Sequence, residues 1–273
     1  MNRRRSDSPR SSANAKRRSP PRRTASRRTA SRSTVRRPQR APFQSRMTRP
    51  PTSDLTIGAI AARQRWDLVE PLLTGTPAAA NPSEALSALR RFVTSLVAWN
   101  SNVSNLISKN DVARIVDRHL VESLESAGVF ANLGRERWLD FGSGAGFPAI
   151  PLALVGVGVS WQLVESRRPK TLFLRKILQE LPLKHMAVVH DRLENLPPGE
   201  PFDAFTARAT EAIGPTLRAA APHIRPGGTA CLWKGSSWQA ELEPRSAWAA
   251  EWEIGPSIAL QGRPSVIVLF NKK

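Results

Sequence analysis

The stretch Asp140-Phe141-Gly142-Ser143-Gly144-Ala145-Gly146 decides the fold. It follows a short apolar run, Trp138–Phe141, and precedes an apolar helical pattern from Phe147 to about Val155. Strand, glycine-rich turn and helix together make the context in which a glycine string becomes a nucleotide site. The glycines permit a tight turn and let the backbone approach a ligand. The spacing is GxGxG led by a carboxylate, whereas dinucleotide folds use GxGxxG and set a pyrophosphate on the helix N-terminus. A sulfonium nucleoside such as S-adenosylmethionine has no phosphate, and its ammonium suits a carboxylate such as Asp140. Gly142 and Gly144 leave room for its methionine portion, and Phe147 with Pro148 sets an apolar wall beside the turn.

Downstream, a second strand, Ser160–Val164, ends at Glu165, 19 residues past Gly146. An acceptor for ribose hydroxyls belongs there in Rossmann-like folds; the competing reading is a surface carboxylate paired with Arg167 or Arg168. A long helix follows from Pro169 to Leu181, then a third strand, Met186–Val189. Asp191-Arg192-Leu193-Glu194 comes next, where methyltransferases cup adenine, although acidic loop residues are more often simply solvated. The fourth strand, Asp203–Ala207, delivers Arg208 to the crevice that opens at strand carboxyl ends. Arg208 is a candidate for contact with cofactor, phosphate or base, with a structural salt bridge as the alternative. A helix from about Glu211 to Ala221, Gly227-Gly228, a fifth strand Thr229–Trp233 and an apolar run Val266–Phe270 complete the pattern. Alternating helices and apolar strands predict an α/β, doubly wound, mostly parallel sheet.

Upstream the rhythm is helical. Leu86, Leu89, Phe92, Val93, Leu96, Val97 and Trp99 recur at helical spacing after a start signal at Asn81-Pro82-Ser83. A second amphipathic helix is expected over Asp111–Ala127, ended by Gly128, with Trp99–Asp111 as a polar connection between the two. Residues 1–53 differ in kind. They hold 17 of the 41 Lys+Arg and one of the 22 Asp+Glu, so the net charge of +19 leaves only +3 for the rest. The segment repeats Arg22–Ser26 in Arg27–Ser31 and is too poor in apolar groups to fold, so disorder is expected. It reads as an RNA-attracting tail, an organellar transit peptide, a binder of another acidic partner, or an over-extended start with Met47 as initiator; the last is preferred.

The single cysteine, Cys231, excludes an intramolecular disulfide and a cysteine-built metal cluster, and fits a reducing cytoplasm. The four histidines show no metal-binding spacing, so no metal is expected. No apolar run reaches the ~20 residues of a membrane span. Exocyclic-amine methylases carry an Asn/Asp-Pro-Pro-aromatic motif after the fourth strand; Ala207-Arg208-Ala209-Thr210 stands there instead. The Asn195–Pro198 stretch has its proline pair too late and lacks the aromatic. Carbon-5 pyrimidine methylases need a nucleophilic thiol, whereas Cys231 lies within an apolar strand and reads as core. An acceptor with a free lone pair and no proton to lose, such as guanine N7, needs neither device.

These residues resemble the bacterial 16S rRNA guanine-N7 methyltransferase family (RsmG, or glucose-inhibited division protein B). The resemblance runs from about Trp99 to Lys273. It rests on Trp99-Asn100, Asn105-Leu106 with Ser108, Arg118-His119-Leu120 with Ser123, Asp140–Ala153, Glu165–Ile177, Asp191–Leu196, Ala207–Ala209 and Leu232–Gly235. It implies a class I methyltransferase domain over 135–273 and an N-terminal helical region over 54–134. It implies S-adenosylmethionine held at Gly142, Phe147, Glu165, Leu193, Glu194 and Arg208. It also implies methylation of one guanine in the decoding-region loop of 16S rRNA, free or in the small subunit, by a cytoplasmic monomer. Arg118, Lys170 and Lys234 are the implied RNA-contacting residues, and Arg208 and Lys234 the positioning candidates. Ala149, Arg167 and Thr210 depart from the family's usual residues. Action on another RNA, a protein or a small molecule, or RNA binding without catalysis, are the alternatives.

Overall fold

The computed structural model describes residues 54–273 apart from Pro198. The tail at 1–53, with its repeat and Met47, and the second proline of the Pro197-Pro198 pair lie outside the described residues. The helical region opens with α1 (Asp54–Ala62), α2 (Glu70–Leu73) and α3 (Pro82–Asn102), then α4 (Val121–Leu124) and α5 (Ala127–Asn132). The alternating part is β1 (Arg137–Phe141), α6 (Ala149–Leu154), β2 (Ser160–Val164), α7 (Arg168–Glu180), β3 (Met186–Val189), β4 (Phe202–Arg208), α8 (Ile213–Ala220) and β5 (Ile224–Lys234). It closes with β6 (Trp252–Ala259) and β7 (Val266–Lys272).

The seven strands form one sheet in the order β3-β2-β1-β4-β5-β7-β6. The first five are parallel, and β7 runs antiparallel to both β5 and β6. The chain winds outward from β1 to β3, returns, and winds the other way from β4. A crevice therefore opens where the carboxyl ends of β1 and β4 part. Side chains alternate across the sheet, sending Trp138 and Ala204 to one face and Leu139 and Phe205 to the other. The first face packs under Phe92 of α3, Ile150 of α6 and Phe173 of α7. The second is covered by Leu217 of α8 with Trp248. Residues of the helical region thus share one apolar cluster with the sheet.

Four expectations need correction. The span Asp111–Ala127 is not one helix. A 3-10 stretch, Lys109–Arg114, passes into a π-helical turn, Val116–Leu120, before α4. Ile115, Val116, Leu120, Val121 and Leu124 are all buried, so the apolar rhythm holds while the winding changes beneath it. Gly128 does not end that helix; it lies inside α5, where a Cβ would stand 2.9 Å from the Gly75 carbonyl oxygen. The glycine serves close approach. Third, α3 continues through Trp99 to Asn102, and the Asn100 side chain then ties the connection by accepting from Leu106 N (2.7 Å) and Ile107 N (3.0 Å). Fourth, Gly227-Gly228 lie within β5 rather than before it, beside an irregularity in the pairing with β4. The strand β6 escaped the pattern because it is an edge strand carrying Gly255-Pro256, with a register shift between Ile254 and Ser257.

Candidate active site

β1 ends at the glycine turn, and the turn's geometry requires glycine. Gly142, Gly144 and Gly146 have φ of 68°, 56° and 93°, a left-handed backbone that side chains disfavour. Gly142 N and Ser143 N both donate to the Val164 carbonyl at the end of β2, at 2.9 and 3.2 Å. Asp140 is buried under this turn. Its Oδ1 accepts from Thr206 Oγ1 of β4 at 2.6 Å, while its Oδ2 is buried without a hydrogen-bond partner. Burial pushes the Asp140 carboxyl up to about 6. A buried carboxylate oxygen left unpaired is costly unless something arrives to meet it.

Glu165 is held from three sides at the end of β2. Its Oε2 accepts from Gly144 N at 2.9 Å, its Oε1 from Arg167 N at 2.8 Å, and its carbonyl from Thr171 Oγ1 at 3.1 Å. The carboxylate therefore braces the glycine turn as well as lying beside it. The competing expectation, a surface ion pair with an arginine side chain, does not describe it: Glu165 is buried.

Arg208 ends β4 and forms the hub of a second cluster. Its Nη2 stands 2.8 Å from Glu122 Oε2 and donates to His119 Nδ1, and its guanidinium lies 5.9 Å from the Phe147 ring centre. Arginine is always a donor, so His119 Nδ1 must accept and the ring proton sits on Nε2. Burial, helped by the Arg208 charge, pushes the His119 pKa down to about 3, so the ring is neutral. Its face packs on Phe147 at 5.4 Å between centroids. His119 Nε2, 4.0 Å from Asp111 Oδ2, and Arg208 Nη1 are both buried without a hydrogen-bond partner. Immediately after Arg208 the backbone is strained: Ala209 adopts φ 53°.

The family model for rRNA small subunit methyltransferase G matches residues 85–254. Ribosomal RNA small subunit methyltransferase G from Cereibacter sphaeroides is 36% identical over 194 residues, 69% of this chain and 91% of that one. The chain belongs to the rRNA small subunit methyltransferase G family. The Paracoccus denitrificans member is 35% identical over 55% of this chain and 77% of its own. Among solved structures, the T. Thermophilus 16S rRNA N2 G1207 methyltransferase in complex with AdoMet and guanosine aligns at 23% identity with a TM-score of 0.45. The alignment covers 58% of this chain and 44% of that one.

Within this family member, the structure brings Asp140, Gly142, Gly144, Phe147, Glu165 and Arg208 to one end of the sheet. Leu193 is buried and Glu194 exposed in the single turn Leu193–Asn195 that follows β3. Asp191 stands just before that turn, its Oδ1 accepting from Arg192 N and Asn195 Nδ2. Lys170 sends its Nζ to within 3.6 Å of where a Cβ on Gly144 would lie. Lys234, at the end of β5, is engaged by Glu241 at 2.7 Å and donates to the Glu211 carbonyl. Arg118 is half exposed, 3.4 Å from Asp111, on the Glu122 side of the Arg208 cluster. Sequence reasoning missed Thr206, His119 and Glu122 as site residues. His119 and Glu122 are three residues apart on a turn of helix and so share a face, but only the fold shows that Arg208 meets them. Among the described residues no group of His, Cys, Asp and Glu is arranged to hold a metal, and no helix is long and apolar enough to cross a membrane.

Proposed function

We propose that the protein transfers the methyl group of S-adenosylmethionine to N7 of a guanine in the small-subunit rRNA. The observation that carries this reading is the unpartnered, buried Asp140 Oδ2 beneath a turn of positive-φ glycines, in a member of this methyltransferase family. The residues fit the cofactor. Asp140 would offer its free oxygen to the ammonium, beside a turn whose glycines carry no side chains to obstruct it. Glu165 keeps lone pairs for the ribose hydroxyls beyond those given to Gly144 and Arg167. Leu193 and Glu194, in the turn after β3, would hold the adenine, the Glu194 carboxylate being the exposed group that could accept from its amino edge. When bound, S-adenosylmethionine supplies an electrophilic methyl carbon whose transfer to a ring-nitrogen lone pair leaves a neutral thioether.

The chain's contribution is then positioning in a dry site. Phe147 and the neutral His119 ring exclude water, and Arg208 is held rigid by Glu122 and His119. Neither the thiol nor the imidazole near the crevice is free to remove a proton from an acceptor base. The Cys231 thiol is buried and pushed well above its usual pKa. His119 Nδ1 is occupied by Arg208. Guanine N7 has no proton to lose, so the site matches the chemistry. A loop in the RNA presents N7, which an A-form major groove hides. The test is to incubate small subunits lacking the modification with the enzyme and methyl-labelled S-adenosylmethionine, then digest the RNA to nucleosides. Label in 7-methylguanosine is expected; label in any other nucleoside contradicts the reading.

A further inference from the structure

Beside the Arg208 cluster lies a cleft of about 720 Å³, walled by the stretch Asp67–Leu72, the segment Arg114–Glu125 and the β6–β7 loop at Gln261–Ser265. That volume is in the range of small-molecule sites. Its place in the fold is informative. β7 begins at Val266, which pairs with Lys234 at the end of β5, and Trp233 pairs with Arg208 at the end of β4. The cleft therefore opens on the same edge of the sheet as the glycine turn, on the β5–β7 side, while Glu165 and Leu193 occupy the β2–β3 side. Glu122 belongs to both places: it lines the cleft, and its Oε2 holds Arg208 at 2.8 Å.

The charges of the lining decide between a phosphate and a base. Four carboxylates face three guanidiniums. Arg263, the innermost guanidinium, is already paired with Asp117 at 3.0 Å and with Glu125 at 3.2 Å. Asp67 is likewise paired with Arg65 and Glu122 with Arg208, so the lining is close to neutral, draws no anion by its charge, and offers carboxylate lone pairs to a neutral ligand rich in hydrogen-bond donors. Guanine is such a ligand on one edge. Its N1–H and N2–H lie side by side and can both donate to a single carboxylate, and that edge is remote from N7. An enzyme that leaves N7 free to react must grip the base elsewhere. The π-helical turn Val116–Leu120, a winding that recurs at functional sites, comes directly before α4, which carries Glu122. Trp233 Nε1 donates to the Glu122 carbonyl and fixes its backbone.

We infer that this cleft seats the target guanine, with the Glu122 carboxylate accepting from its N1–H and N2–H, so that Glu122 sets specificity for guanine. The inference rests on the proposed N7 reaction. Inosine, which keeps N7 and N1–H but lacks the N2 amine, is the probe. RNA carrying guanosine or inosine at the target is offered to wild type, to Glu122→Gln and to Glu122→Ala, and the ratio of kcat/KM for the two RNAs is read. Wild type should favour guanosine by about tenfold or more, the scale of a lost base contact. Both variants should bring that ratio to within about threefold. A ratio unaffected by either substitution, or a wild type indifferent to inosine, overturns the inference. The ratio is insensitive to any weakening of cofactor binding through Arg208, because both RNAs share that defect. Absence of guanosine methylation by wild type would instead contradict the N7 reaction itself, together with what rests on it.

Discussion

The glycine turn and the Arg208 cluster face each other across one crevice but are built by different means. The turn is local: Asp140 to Arg167 are close in sequence, and left-handed glycines, backbone bonds to the Val164 carbonyl and backbone N–H groups donating to the Glu165 carboxylate fix its shape. The cluster is long-range: Arg208 meets His119 across 89 positions and is held through side chains alone. A locally encoded site tolerates distant change but not a change of backbone. A side-chain hub fails when any member is removed. The substitutions below separate the two.

The largest effect should come from Arg208→Ala. Glu122 and Arg208 have side chains 10% and 14% exposed, so removing the guanidinium leaves a buried carboxylate uncompensated. A loss of about 3 kcal/mol in urea denaturation is expected, with turnover impaired by about 100-fold or more as the positioning of the reactants is lost. Unchanged stability would mean the pair is relaxed in solution. Gly144→Val should act in the opposite way. The fold should survive, by circular dichroism, while calorimetry shows S-adenosylmethionine affinity falling at least tenfold, about 1.4 kcal/mol. Glu165→Ala, which removes the carboxylate bracing that turn, is expected to weaken affinity to a similar extent.

Asp140 sharpens the comparison through pH. Its carboxyl is raised from 3.8 to about 6 by burial, so the stability linked to its protonation is fully present below pH 4 and lost as pH rises through 6. Ligand-free Asp140→Asn should therefore lose that portion of the pH dependence and be relatively more stable at neutral pH. The cofactor ammonium prefers the ionised carboxylate, so wild-type affinity should drop by up to about tenfold between pH 7 and pH 5, and Asp140→Asn should abolish the slope. Calorimetry at the two pH values reads both. The smallest effect is expected from Cys231→Ser: a buried hydroxyl costs about 1 kcal/mol or somewhat more in stability, while methyl transfer stays within a few-fold. A folded but inactive Cys231→Ser protein would require a covalent mechanism.

The contrast also explains what could be read from the sequence. The order of strands and helices from Arg137 onward follows from apolar runs and turn residues, and the turn with Glu165 follows from spacing, because each depends on neighbours in the chain. The span Asp111–Ala127 reads as one helix because its buried positions keep a helical rhythm, while the changes from 3-10 to π to α winding leave that rhythm almost intact. β6 was lost because an edge strand with Gly255-Pro256 carries no apolar alternation. Glu122 and His119 were invisible as site residues because their roles come from meeting Arg208, and no local pattern records that contact.

The most direct test of the central claim is chemical. Methylation at N7 leaves the guanine with a fixed positive charge and makes the RNA chain cleavable by aniline after borohydride reduction. Small subunits or 16S rRNA lacking the modification, treated with the enzyme and S-adenosylmethionine, should acquire one such cleavage at a loop guanine. Arg208→Ala should reduce it strongly, and Cys231→Ser should leave it nearly unchanged. Incorporation of labelled methyl without aniline-sensitive cleavage would place the acceptor at another atom and contradict the account.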